Sequence, residues 1–308
     1  MTIRLTIRTA LWRSHVARIA NDVDGLVPVV KGNGYGFGRR WLADFAAEFA
    51  DTVAVGTVHE LDDVPDGARA VVLTPTLTVP PALATRPTTI LTVGAPEHIT
   101  ALRGWMGGVV VKLRSSMRRY GSDDLLIEQA RGADLDVVGV SVHPPLDAFA
   151  GTRADVLNVL DGIDADLPAW VSHLDPATYA ELPNDREYRL RLGTALWHGN
   201  KSTLHLDADV IAQQGAERGQ PVGYRQVPTP ADGTIVMIGA GSANGVSPLP
   251  DGRSPFHFAR QRLALIEPPH MHTSMAFVPA GDPIPNVGDW VDLQRPLTMT
   301  TVDEFDWR

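Results

Sequence analysis

The sequence predicts a (β/α)8 barrel followed by a small, mostly β domain, and three observations point there. Eight short apolar runs, rich in β-branched residues, recur along the first two thirds of the chain. Segments with helical spacing separate them, and from about Leu204 onward that alternation gives way to proline, glycine and short strand-like runs.

The eight runs are Val27–Lys31, Thr52–Thr57, Ala70–Pro75, Thr89–Gly94, Val109–Leu113, Asp136–Val142, Ala169–Leu174 and Tyr188–Gly193. Most are apolar at consecutive positions, the pattern of parallel strands buried on both faces. Between them, Trp41–Ala50 and Asp123–Arg131 place apolar residues three and four apart, as an amphipathic helix requires. An open doubly wound sheet fits the same alternation. Its Gly-x-Gly-x-x-Gly fingerprint is absent, however: the glycines after the first run are Gly32, Gly34, Gly36 and Gly38, with period two. In the last third, Thr234–Ile238, Arg262–Ile266, Met275–Val278 and Trp290–Leu293 read as strands. The expected division is residues 1–205 for the barrel and 206–308 for the β domain. The alternating segment Ile3–Ile7, within residues 1–8, is a candidate to pair back into the β domain.

With 308 residues, 44% hydrophobic and 20% charged, the chain has the composition of a globular protein with a large core. Its formal charge of −9 argues against a nucleic-acid partner, which needs a basic face. Without cysteine there are no disulfides and no thiolate chemistry. No apolar run reaches the roughly 20 residues of a membrane helix, and the first residues lack a signal-peptide core. The expectation is a cytoplasmic enzyme or binding protein of small molecules, with no metal site.

The most informative stretch is Val27-Pro-Val-Val-Lys31-Gly-Asn-Gly-Tyr35-Gly-Phe-Gly38. A lysine at the end of a buried strand can be partly desolvated, which lowers its pKa; the neutral amine is the form that captures an aldehyde. In a barrel, side chains at the C-terminal ends of the strands converge. Those positions carry Lys31 and Tyr35, then Lys112, Met117 and Arg119, then His143, then Ser172 and His173, and finally Arg191, Gly193 and Thr194. So many cations and hydroxyls in one mouth suit a phosphorylated, anionic cofactor.

In this order, these segments resemble the alanine racemase family, fold-type III pyridoxal-phosphate enzymes whose lysine motif usually reads Val-Val-Lys-Ala-Asn-Ala-Tyr-Gly-His-Gly. Here Gly32 and Gly34 stand for the alanines and Phe37 for the histidine. The resemblance covers nearly the whole chain and implies an isomerase of amino-acid metabolism using pyridoxal 5'-phosphate. It implies that Lys31 holds the cofactor aldehyde and removes the Cα proton from one face of the substrate. Tyr35, Gly193 and Thr194 would bind the phosphate. Arg119 would contact the phenolic oxygen and the substrate carboxylate, oriented by Lys112, which matches a lysine often carbamylated in the family. His143 would lie against the pyridine ring as a cofactor-binding and catalytic residue, and Arg191 would face the ring nitrogen. The family's Asn-Ser pair is matched either by Ser172-His173 or by Leu174-Asp175. In the β domain, Met271 matches the residue that offers its backbone amide to the substrate carboxylate in a partner's site, which implies a homodimer with shared sites.

One segment breaks the pattern. The family's second base is the tyrosine of Ile-Gly-Tyr-Ala-Asp-Gly, whereas this chain reads Ile238-Gly-Ala-Gly-Ser242-Ala-Asn244-Gly245, with Ala240 or Ser242 in its place. A serine hydroxyl is a poor base beside a phenol of pKa about 10. Three readings stay open: a racemase-like enzyme whose other proton comes from His143, Tyr224 or water; a one-base lyase or retro-aldolase acting on a β-hydroxy amino acid; and a cofactor-binding protein without turnover.

Overall fold

Eight parallel strands close into a ring between Leu26 and Leu192. The computed structural model describes residues 1–81, 83, 86–149 and 151–308, and these form two compact units, Ser14–Gly199 and Met1–Arg13 with Asn200–Arg308. A first strand, β1 (Ile3–Ile7), belongs to the second unit. The ring consists of β2 (Leu26–Pro28), β3 (Thr52–Val55), β4 (Arg69–Val72), β5 (Leu91–Val93), β6 (Gly108–Lys112), β7 (Asp136–Ser141), β8 (Ala169–Ser172) and β9 (Tyr188–Leu192). Six of them pair in the order β2-β9-β8-β7-β6-β5, and β3 pairs with β4. Parallel bridges from Val29 to Ala54 and from Val71 to Ile90 join the two groups and close the barrel.

All eight strands fall on the runs expected from sequence, in the expected order. They form there because their residues are buried on both faces: every residue of β2, β3, β5 and β8 is buried. The helices between them bury one stripe each. Helix α1 spans Thr9–Asp22 and α2 spans Arg39–Ala47, which buries Leu42, Ala43 and Ala46. After α3 (Pro96–Ala101), α4 (Leu125–Gly132) buries Leu126, Ile127 and Ala130. The remaining helices are α5 (Thr152–Leu160), α6 (Pro176–Ala180) and α7 (Thr194–His198). Between β3 and β4 the connection is only a 3₁₀ segment, Val58–Asp63.

The second unit is an antiparallel β structure organised on β10 (Leu204–Ala216). Its first residues pair with β1, Leu5 opposite Leu206, and with Trp290–Leu293. Its second half pairs with Gly233–Ile238, which in turn pairs with Ser274–Pro279. An irregularity between Val210 and Ala212 marks the change of partner, as a bulge does. The segment read from sequence as one strand, Arg262–Ile266, is two: Gln261–Arg262 pairs with Phe256–Phe258, and Ala264–Leu265 pairs with Ser274–Pro279. Buried Leu263 stands between them. Strand β10 has no clean apolar alternation: polar His205, Asp207 and Asp209 interleave with Leu206, Ala208 and Val210, and Asp207 is itself buried.

Candidate active site

The loop after β2 has an unusual backbone. Gly32, Gly34, Tyr35, Gly36 and Gly38 all have positive φ, between 56° and 89°. Four glycines take this conformation without steric cost; Tyr35, at φ 56°, takes it at a cost of about 1–2 kcal/mol. Its neighbours hold it there. His198 donates from Nε2 to the Tyr35 carbonyl at 2.7 Å. The Tyr35 hydroxyl lies on Gly193, where any Cβ would overlap it. Burial pushes the Tyr35 phenol up to about 12, so it stays protonated and can donate.

Lys31 heads this loop and is solvent-accessible at the barrel mouth. Partial burial lowers its pKa, Arg119 and Arg191 lower it further, and Glu60 opposes them. Glu60 comes from the 3₁₀ segment after β3. Its two oxygens accept from Gly32 N at 3.1 Å and Gly56 N at 2.6 Å, tying the lysine loop to the end of β3. Arg39 completes the tie, donating to the Gly32 carbonyl and to Asp63, each at 2.6 Å.

Lys112 ends β6 and is only 4% exposed. Burial, with Arg191 and Arg119 nearby, brings its pKa down to about 6, leaving it mostly neutral at pH 7. Its Nζ lies 5.3 Å from the centre of the Tyr120 ring. Arg119 rests on the same ring, 4.6 Å from its centre, and donates to the Tyr120 hydroxyl at 3.0 Å. That hydroxyl donates to the Leu73 carbonyl.

Arg191 is buried in β9 and held by main-chain carbonyls. Nη2 donates to Val142 at 2.7 Å and Trp170 at 3.0 Å, and Nε to Val171 at 3.3 Å. Burial brings its pKa down to about 10, which still leaves it cationic at neutral pH.

His143 and Ser172 are coupled: Oγ of Ser172 and Nδ1 of His143 share a 2.6 Å hydrogen bond. Burial and four neighbouring groups, Arg191, Lys112, His173 and Arg119, push the His143 imidazole down to about 2. At neutral pH it is a neutral ring. His173, with φ 64°, stacks obliquely on it at 4.3 Å between centres.

The structure therefore brings Lys31, Tyr35, Arg119, His143, Ser172, Arg191 and Gly193 together at one end of the barrel, with Thr194 exposed at the start of α7. Sequence reasoning missed Glu60 and Tyr120. Each had a weak signal: a carboxylate four residues past Gly56, and an aromatic next to Arg119. In the second unit, Met271 is exposed, and its carbonyl accepts from Ala243 N at 2.8 Å. Ala240 is buried and Ser242 is exposed.

Arg119 and Arg191 bear electrostatically on both Lys31 and Lys112, and Glu60 is the carboxylate that acts on Lys31. Cations gathered without matching carboxylates are costly unless an anion joins them. The chemistry of the set, with the Tyr35 hydroxyl at Gly193, fits a ligand carrying phosphate and phenolate oxygens.

Residues 7–198 match the family model described as alanine racemase, N-terminal domain. No curated protein sequence matches the chain. Among solved structures, alanine racemase from Bartonella henselae, described with covalently bound pyridoxal phosphate, is similar at 18% identity and TM-score 0.75, covering 100% of both chains. The biosynthetic alanine racemase of Pseudomonas aeruginosa is similar at 19% identity and TM-score 0.71, covering 99% of each. The Clostridium difficile 630 alanine racemase is similar at 18% identity and TM-score 0.71, covering 99% of this chain and 96% of that one. A ring of eight parallel strands, the cationic site at its mouth and a family match over most of that ring lead to one statement: the chain belongs to the alanine racemase N-terminal domain family.

Proposed function

We propose that this protein binds pyridoxal phosphate on Lys31 and catalyses racemase-like proton exchange at the Cα of an amino acid. The observation that carries this reading is the cluster of Lys31, Lys112, Arg119 and Arg191, with the lysine pKa values lowered by burial and by the arginines. When bound, pyridoxal phosphate supplies an aldehyde for a lysine amine and an electron-withdrawing ring that acidifies an amino acid's Cα–H. Everything else is the work of the chain.

Tyr35, Gly193 and Thr194 would hold the phosphate, through a phenolic hydroxyl, a backbone amide and a threonine hydroxyl. Arg191 would face the ring nitrogen. An arginine cannot take up a proton, so it leaves that nitrogen unprotonated. His143, kept neutral and fixed by Ser172, would lie against the ring without carrying a proton, and Ser172 would act by holding it. Arg119 would bind the phenolic oxygen and the substrate carboxylate. Neutral Lys112 has the form that reacts with carbon dioxide, and a carbamate there would brace Arg119. We also place Met271's backbone amide at the substrate carboxylate of a partner's site, in a cytoplasmic homodimer. Among the described residues no helix is long and apolar enough to cross a membrane.

A second reading has its own observation. Residues 239–245 hold no titratable side chain, so one-base chemistry such as retro-aldol cleavage of a β-hydroxy amino acid is the alternative. Borohydride reduction of protein reconstituted with pyridoxal phosphate, followed by peptide mapping, tests the shared part: label on Lys31 is expected, and its absence overturns the proposal. Incubation with amino acids in deuterated water then separates the two. Both enantiomers carrying Cα deuterium mean racemisation. Exchange with retention, or aldehyde release from threonine-like substrates, means one-base chemistry. Size-exclusion chromatography with light scattering checks the dimer.

A further inference from the structure

We propose that His173 is the second proton carrier of this barrel mouth, working across the substrate from Lys31. The inference rests on the racemase-like reading above.

The position is built for an imidazole with one defined tautomer. His173 leaves β8 with φ 64°, a left-handed conformation that costs a non-glycine residue about 1–2 kcal/mol. Such strain persists where surrounding contacts fix it, and functional sites are where it concentrates. The fixing contact is a 2.7 Å hydrogen bond between His173 Nδ1 and the Pro144 carbonyl. A carbonyl can only accept, so the proton resides on Nδ1 and Nε2 carries the free lone pair. The ring leans on His143, which limits its rotation.

Strand order supplies the second argument. The neighbours run β2-β9-β8, so Lys31 and His173 leave strands on either side of Arg191. Two strand spacings amount to roughly 9–10 Å, enough for a planar ring bearing its substrate carbon. Lys31, Arg191 and Lys112 all bear on His173 electrostatically and, with burial, lower its pKa.

The other groups of the mouth are unsuited. His143 has its Nδ1 engaged by Ser172 and stays neutral. The Tyr35 phenol is raised to about 12 and packs on Gly193. Outside the barrel unit, residues 239–245, which match the family's tyrosine segment, hold only glycine, alanine, serine and asparagine.

For one enantiomer, neutral Nε2 of His173 takes the Cα proton, leaving the C–H electron pair on the substrate carbon. The Lys31 ammonium then delivers a proton to the opposite face. For the other enantiomer the roles reverse. One proton leaves and one enters, and exchange with solvent restores both carriers.

The test compares wild type with His173→Asn, which tolerates positive φ and cannot carry a proton. Both should take borohydride-fixed cofactor on Lys31, and both should exchange Cα–H for deuterium on one face. Formation of the opposite enantiomer should fall by at least about 100-fold, the lower end for loss of a general acid–base. Racemisation at the wild-type rate would overturn the role of His173 alone. A wild type with no label on Lys31 would overturn the underlying reading and the inference with it. If His173→Asn does not fold, His173→Gln, whose amide can still reach Pro144, carries the same expectations. A measurement without cofactor stands beside these: nitrogen-15 spectra of the apoprotein should show His173 protonated at Nδ1 and bare at Nε2. The opposite tautomer would overturn the assignment.

Discussion

The β unit and the barrel mouth handle their enclosed charges differently. In the β unit they are matched. Arg4 donates to both oxygens of Asp207 at 3.1 and 3.0 Å and lies 3.7 Å over the Trp290 ring. Buried Glu267 accepts from His270 at 2.6 Å and from the amides of Tyr224 and Arg225. At the barrel mouth, Arg191 is held by carbonyls, Arg119 rests on a tyrosine and Lys112 is buried beside the same ring. A buried charge with its partner belongs to the architecture, because removing either member leaves the other stranded. At the mouth, Arg119 and Arg191 face neutral oxygens rather than carboxylates, an arrangement that suits an anionic ligand. The contrast is what marks the barrel mouth as the candidate site.

That contrast can be broken experimentally, starting with Lys31. Lys31→Ala should abolish the borohydride-fixed label and lower Cα exchange by about 10³-fold or more, since loss of a nucleophile and base removes both roles. Retention of the same adduct, found by peptide mapping, would sink the assignment.

Arg191→Met comes next. It strands the carbonyls of Val142, Trp170 and Val171 and removes a cation from the site, so cofactor affinity should weaken by at least about tenfold, or 1.4 kcal/mol. Equilibrium titration of apoprotein with pyridoxal phosphate measures it, and unchanged affinity would show that Arg191 is structural.

Lys112 sharpens the comparison through pH. Its folded pKa is about 6 against an ordinary value of 10.5. Between these values the unfolded chain binds the extra proton, so this group makes apoprotein stability rise with pH through that window. Below about 6 the folded amine must also charge, and the penalty is at its largest. Lys112→Met should flatten the dependence and stabilise apoprotein at pH 6 by about 1–3 kcal/mol. Urea unfolding at pH 6 and pH 9 reads this directly, and an equally steep wild-type and variant profile would count against the buried neutral amine.

The smallest functional effect belongs to the β unit. Asp207→Asn should cost about 1–3 kcal/mol of stability through the lost charge-assisted bonds to Arg4, with pyridoxal phosphate affinity unchanged. A variant that keeps its stability and loses cofactor would erase the distinction between matched and unmatched charges.

Much of the barrel was legible because its signals are local. A run such as Val-Ala-Val after Thr52 is buried on both faces whatever surrounds it, and a lysine closing Val27–Lys31 reads as a strand-end residue. The same locality put Gly193 at the end of the last run, whereas its lack of room for a Cβ against Tyr35 is a contact between distant segments. The β unit was less legible. Strand β10 is part polar and changes partners midway, so its role depends on strands far away in sequence. Glu60 and Tyr120 had only weak signals for the same reason: their roles depend on the amides of Gly32 and Gly56 and the carbonyl of Leu73, which come from other segments.

The sequence by itself determined which segments become strands and which side chains stand at their ends, because burial period and strand-end position are properties of a few consecutive residues. Tertiary structure alone decided which of those side chains would be charged, neutral or fixed. Lys112 is brought down to about 6 and His143 to about 2 by burial and by cations on other strands, and His173 is held in one tautomer by Pro144 from another loop. Protonation follows from dielectric and neighbours, and both exist only once the ring of strands has closed.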